Sequence, residues 1–147
     1  MSGLLDPFNR AFLDKKASEH PLDALYARLG ALRKAHAALS TGAVSILAPN
    51  ADTLCIVRLI RGGKDEFGEE AENECLVTLV NRAQEARFLA VDLLREGFGF
   101  DEEALRTLQT ASPETAEPIC GTIPAEIRDG ILTATIPAGE GEIFILR

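Results

Sequence analysis

The side chains able to do chemistry here are mostly acids. The chain of 147 residues has 23 Asp and Glu against 15 Lys and Arg, a formal net charge of −8. Counting alone leaves a glycosidase-like pair of carboxylates open, because such a pair needs only two acids held across a glycosidic bond. Most of the acids, however, lie in one loop or at presumed turns, where solvated charge is their ordinary role. The two histidines, His20 and His36, are too far apart to form a metal pair on one helix face. No pair among the histidines and cysteines has zinc-ligand spacing, so no metal site is expected. The nucleophile elbow, the dinucleotide fingerprint and the phosphate loop are all missing from the sequence.

The densest acidic stretch is 62–74, GGKDEFGEEAENE, in which six of thirteen residues are Asp or Glu. It reads either as a calcium site or as the solvated tip of a hairpin. The alternating acids and fixed glycine of a known calcium loop are missing, so a solvated tip is the expectation. The acidic balance argues against nucleic acid or an anionic membrane as partner, since both reward clustered Lys and Arg. Cys55, Cys75 and Cys120 are odd in number and widely spaced. They fit reduced thiols better than a disulfide framework, with one disulfide as the alternative. With no charged and apolar leader in the sequence, reduced thiols favour the cytoplasm. Seven Phe, one Tyr and no Trp leave little equipment for stacking on sugars.

The element that would position any site is a helix. In 21–42, PLDALYARLGALRKAHAALSTG, the apolar residues Leu22, Leu25, Tyr26, Leu29, Leu32 and Leu39 recur at helical spacing. Pro21 suits the first turn, Asp23 complements the positive end of the helix dipole, and Gly42 is a natural stop. Each large apolar side chain on this stripe is worth roughly 1.5–3 kcal/mol if buried, so the helix needs a partner surface. Residues 1–20 read as a loop leading into it.

Beyond Gly42 the period changes to two. Strands are expected over 43–48, 53–61, 75–81, 86–94, 131–137 and 142–146, with turns at 49–52, 81–85 and 137–141. The connections predict two hairpins, 75–81 with 86–94 and 131–137 with 142–146. Residues 101–110 are ambiguous between helix and strand, 111–118 are loop by composition, and 119–129 are weakly patterned. One helix followed by six to eight short strands indicates a mainly β protein, an antiparallel β-sandwich of Greek-key type.

The order of segments carries a resemblance. Asp6-Pro7-Phe8-Asn9-Arg10 comes first, then Leu25-Tyr26, then Leu29 to Leu39 as LGALRKAHAAL, then Thr41-Gly42. This resembles the end of the catalytic barrel in glycoside hydrolase family 13, the α-amylase superfamily, and most of all its neopullulanase, cyclomaltodextrinase and pullulanase members. There a DPxxR-type loop precedes the last barrel helix, and a TG step leads into a C-terminal β-sandwich. Leu76 to Arg82, LVTLVNR, and the segment from Gly130 to Leu146 resemble later parts of that sandwich. After Arg10 the chain departs from the family: Ala11-Phe12-Leu13-Asp14 stand where a Pro-Trp pair is common.

The resemblance implies a division into 1–42, the end of a barrel, and 43–147, a C-terminal sandwich. The family's catalytic Asp, Glu and second Asp lie on earlier barrel strands, to which no segment here corresponds. It therefore implies no catalytic residue, no cofactor and no hydrolysis by this chain, which would instead stabilise the catalytic barrel of a retaining α-glycosidase acting on α-glucans. Asp6 and Arg10 occupy positions that, in an intact enzyme, contact a donor-side sugar; the alternative is an Asp–Arg pair that shapes the loop. A carbohydrate-binding module is the competing reading of the sandwich. An exposed helix stripe would favour a homodimer, or cover by residues 1–20.

Overall fold

A computed structural model describes residues 21–93 and 113–147. Among the described residues, two helices and eight strands occur in the order α1 (Pro21–Ala35), α2 (Ala38–Thr41), β1 (Ala43–Asn50), β2 (Thr53–Ile60), β3 (Glu74–Asn81), β4 (Arg87–Asp92), β5 (Ala116–Pro118), β6 (Ala125–Arg128), β7 (Ile131–Ile136) and β8 (Gly141–Leu146). The chain divides into two units, Met1–Ala31 and Leu32–Arg147. In the first, the described residues are the opening turns of α1, where Leu25 and Tyr26 are exposed. The second unit is the β-sandwich. Residues 101–110 lie outside the described residues.

Every pairing is antiparallel. One sheet runs β1-β2-β3-β8-β5 and the other β4-β7-β6, in the non-sequential order of a Greek-key arrangement. The side-chain period of two sorts each strand into an inner and an outer face. Cys55, Val57, Val77, Leu79, Phe144 and Leu146 of the large sheet meet Leu89, Val91, Leu132, Ala134 and Ile136 of the small one. Phe144 is the largest fully buried side chain at the centre. The alternation in 131–136 and 87–92 places Leu132, Ala134 and Ile136, and likewise Leu89 and Val91, on the buried face.

The two expected hairpins are not formed. β3 and β4 belong to different sheets, and so do β7 and β8. Each connection instead carries the chain across the core. Asn81 makes this possible. Its side chain, fully buried, donates through Nδ2 to the carbonyls of Glu85 (2.8 Å), Ile136 (3.0 Å) and Pro137 (3.0 Å), and its Oδ1 accepts the Ala83 N–H (2.9 Å). One amide thus serves the backbone at both crossings, satisfying polar groups that a hairpin ladder would otherwise have paired. Two further strands escaped the pattern. β5 is only three residues long and ends in Pro118, at the sheet edge where a missing N–H is tolerated. β6 falls within the weakly patterned stretch.

The helical run from Pro21 is interrupted at His36 and Ala37. In an unbroken helix the Ala38 N–H would bond the Lys34 carbonyl. Here it donates to Glu74 Oε2 (3.2 Å), while the other oxygen of Glu74 pairs with His36 Nδ1 at 2.5 Å. A carboxylate at the start of β3 therefore replaces the helix's own acceptor. α2 then lies against β2 and β3, with Ala38 fully buried. Gly42 has no room for a side chain: a Cβ there would stand 2.8 Å from the Ala38 carbonyl oxygen.

Replacing Asn81 with Ala orphans three carbonyls and one N–H at the crossings. A loss of roughly 2–4 kcal/mol is expected in urea unfolding. Asn81→Asp should cost at least as much, because it points a negative charge at three carbonyl oxygens.

Candidate functional site

Among the described residues, the carboxylates drawn into the fold are Glu74 and Glu142. Glu142 is 1% exposed, on the inner face of β8 opposite Leu79. Its Oε1 accepts the N–H groups of Cys120 (2.9 Å), Gly121 (2.6 Å) and Ile143 (3.0 Å), and Oε2 accepts that of Ile123 (3.2 Å). Successive N–H groups pointing inward make a concavity for negative charge, here filled by a side chain of the same protein. The packing requires glycine at 121, since a Cβ there would stand 2.4 Å from Glu142 Oε2. In sequence, the clue to Glu142 was a lone acid at a core-facing position of the run EIFIL, in register with Phe144 and Leu146.

Glu74 and Glu142 do not form a catalytic pair. Glu74 precedes Cys75 on β3, whereas Glu142 sits opposite Leu79, five residues further along. At the rise of a strand that is about 17 Å. A glycosidase pair needs roughly 5–5.5 Å for retention or 6.5–9.5 Å for inversion. Both oxygens of each carboxylate are, moreover, already engaged by the protein's own donors.

The acidic loop uses its charge locally. Asp65 Oδ1 accepts the N–H groups of Phe67 (2.9 Å) and Glu69 (3.0 Å), and the Glu66 N–H donates to the Thr41 carbonyl (3.0 Å). Partial desolvation works upward on the Asp65 carboxyl. The hydrogen bonds from the Thr41 hydroxyl and from the Glu69, Phe67 and Gly68 backbone outweigh it and hold the group below its ordinary value. Gly62 and Gly63 both have positive φ, which lets the loop double back so that the Ala71 N–H reaches the Gly63 carbonyl at 3.0 Å. Among the described residues, no group of three His, Cys, Asp or Glu is placed to hold a metal.

Asp6 and Arg10, the substrate-contact residues suggested by the resemblance, lie outside the described residues, as does His20. Of the cysteines, Cys55 is fully buried on the inner face, Cys75 is half-buried against the same core, and all three are thiols. Burial pushes the Cys55 thiol up to about 12. Cys75 is raised to about 12 as well, by burial first and then by the charge of Glu74 and by Cys55. Neither is a nucleophile near neutral pH.

The feature that points outward is a surface. On the outer face of the large sheet, Ile46, Ile56, Thr78 and Ile143 form one cross-strand row, and Val44, Arg58, Leu76 and Ile145 form the next. Leu76, Ile143 and Ile145 are buried, yet at the β1 end Val44 is 49% and Ile46 61% exposed. An apolar surface that is covered at one end is thus open at the other.

No protein-family model matches the sequence, and no curated protein matches it. Solved structures do. The chain is similar to an Anoxybacillus α-amylase (17% identity, TM-score 0.68), covering 99% of this chain and 26% of that one. It is also similar to the α-amylase of Geobacillus thermoleovorans, solved with acarbose (16%, TM-score 0.69, 100% and 27%), and to that of H. orenii (16%, TM-score 0.56, 95% and 24%).

Glu142→Ala should leave four backbone N–H groups without their acceptor, at about 1–3 kcal/mol for each one that stays buried. Gly121→Ala should be destabilising through its clash with the same carboxylate, and chemical denaturation of the two variants measures both losses. The raised thiols set an alkaline limit. Above the ordinary thiol value of 9.0 the unfolded chain loses protons that the folded chain keeps up to about 12. Stability is therefore expected to fall as pH rises from about 9 towards 12, and Cys55→Ala should flatten that slope. Urea midpoints across this range test it. Across nearly its whole length the chain has the fold of about a quarter of each of these α-amylase chains.

Proposed function

We propose that this chain is the non-catalytic C-terminal region of an α-amylase-family glycosidase acting on α-glucans, and that it stabilises the catalytic barrel. The observation that carries the reading is the fold likeness: nearly all of this chain against about a quarter of the α-amylase chains it resembles. A quarter-length β-sandwich whose two inward-drawn carboxylates, among the described residues, are both engaged by its own backbone and His36 suits a supporting part. The open apolar rows at Val44 and Ile46 support it further, because they offer a large neighbour a surface on which to continue the cover already present over Leu76 and Ile145.

The subfamily follows from the sequence motifs, which favour a neopullulanase-, cyclomaltodextrinase- or pullulanase-like parent with a retaining mechanism. Within such a parent, Asp6 and Arg10 reach a donor-side sugar. Residues 1–42 are then the end of the barrel and 43–147 the appended sandwich. Apart from the barrel, the chain self-associates through its apolar faces, the α1 stripe included. Its three thiols suit a reducing compartment such as the cytoplasm. The described helices include none long and apolar enough to cross a membrane.

Three measurements test the reading. The 147-residue chain, incubated with pullulan or a chromogenic maltooligoside, is expected to release no product above the blank; steady turnover overturns the non-catalytic role. The reading frame upstream of Met1 is expected to continue into barrel strands ending in Asp and Glu. A stop codon followed by a ribosome-binding site there overturns the supporting role. In the parent enzyme, Val44→Asp with Ile46→Asp should lower the inactivation temperature while leaving KM unchanged.

A further inference from the structure

The connection between β2 and β3, residues 61–73, is long but ordered by its own hydrogen bonds. Asp65 Oδ1 accepts the Phe67 and Glu69 N–H groups, and the Asp65 carbonyl accepts that of Gly68 at 3.0 Å. Gly68, with a φ of +84°, turns the chain back. Nearer the stem, Asn73 Oδ1 accepts the Gly63 N–H at 2.9 Å. The tip held by these bonds presents Phe67, which is 78% exposed. Covering such a ring removes roughly 150–250 Å² from water. A ring on a loose tip would lose its freedom on binding. A ring on a fixed tip has already lost most of it, which favours an anchoring role.

Charge decides what can cover the ring. Residues 62–74 hold six acids and one base, Lys64, and Glu66, Glu69 and Glu70 beside the ring are exposed. A second copy of this chain, at −8 overall, would bring like charge against like. Nucleic acid and anionic lipid are repelled in the same way. The matching surface is an apolar pocket with Lys or Arg on its rim. Position narrows the choice further. This connection and the first residue of β3 grip the end of the helical segment at two points. Glu74 takes His36 and the Ala38 N–H, and the Glu66 N–H donates to the Thr41 carbonyl at 3.0 Å. Phe67 thus follows directly on the residue that holds the end of α2.

We propose, resting on the function proposed above, that Phe67 anchors the sandwich to the parent's barrel. Its ring enters an apolar pocket, rimmed by Lys or Arg, on the face where the barrel strands begin. Parallel strands are joined by helices that run back, so the last helix of the barrel ends at that face. Thr41 is the end of the helical segment, and the Phe67 tip is bonded to it. Barrel enzymes carry out their chemistry at the opposite face. The anchor therefore acts on the lifetime of the folded enzyme and not on its substrate. It is separate from the open apolar rows, because Val44 and Ile46 lie on β1 and not on this loop.

The test sets Phe67→Ala in the parent enzyme beside Phe67→Ala in the 147-residue chain. In the parent, the half-life against heat inactivation is expected to fall about tenfold, the loss of one covered ring. Phe67→Leu should recover most of it, and Glu66→Lys with Glu69→Lys should shorten it by repelling the rim. KM for the parent's glucan should not move. In the 147-residue chain, Phe67→Ala should leave the urea midpoint unchanged, because there the exposed ring covers nothing. A parent half-life unchanged by Phe67→Ala overturns the anchor. It leaves the supporting role standing if Val44→Asp with Ile46→Asp still lowers the inactivation temperature. A lowered urea midpoint in the short chain overturns the anchor too, since the ring would then serve the sandwich itself. A raised KM overturns it in favour of a substrate contact. A stop codon and ribosome-binding site upstream of Met1 overturn it together with the proposed parent.

Discussion

A sandwich closes only if its chain passes from one sheet to the other without burying unpaired backbone groups. Two side chains meet that condition here. Asn81 serves carbonyls at both the β3–β4 and β7–β8 crossings, and Glu142 collects the N–H groups of the segment that leads into β6. The apolar core is generic by comparison. Val, Leu and Ile at alternate positions drive two sheets together, but they do not decide which strands share a sheet. The polar corners do, because any other pairing of β3 or β8 would leave those donors and acceptors without partners.

Much of this fold is legible in the sequence, for a physical reason. Six of the eight strands stand out as apolar or β-branched runs between turn signals, and β7 also alternates in burial. The division into faces follows as well, with Leu89 and Val91 on one and Phe88 and Ala90 on the other; the structure turns the first pair inward. Sheet membership is not legible, because a short polar connection looks the same whether it closes a hairpin or crosses the core. The turn after β3 and the turn after β7 were both of this kind, and only the hydrogen bonds of Asn81 tell them apart. β5 is hidden for another reason, since three residues ending in a proline are too few to show a period. The break in the helix at His36 depends on Glu74, a tertiary partner that no local pattern reports.

The candidate sites divide in the same way. Asp6 and Arg10 stood out through family motifs, and Glu142 was recoverable only as an acid on the core face of an apolar strand. The acids that looked most available for chemistry turn out to serve the fold. Glu74 ties the helical segment to β3, Asp65 caps its own loop, and Glu142 fills a nest of N–H groups.

The place of β8 governs when this domain is able to fold. β8 lies between β3 and β5 in the large sheet, pairs Cys75 with Leu146, and contributes Phe144 to the centre of the core. β1 to β3 can assemble as a meander when they leave the ribosome, but with one edge of β3 unpaired and the core lacking its largest side chain. The sandwich thus cannot close until Leu146 has emerged, and its closing contacts span almost its full length. Contacts of such long range form slowly, and until they form an unpaired strand edge stays open to other chains.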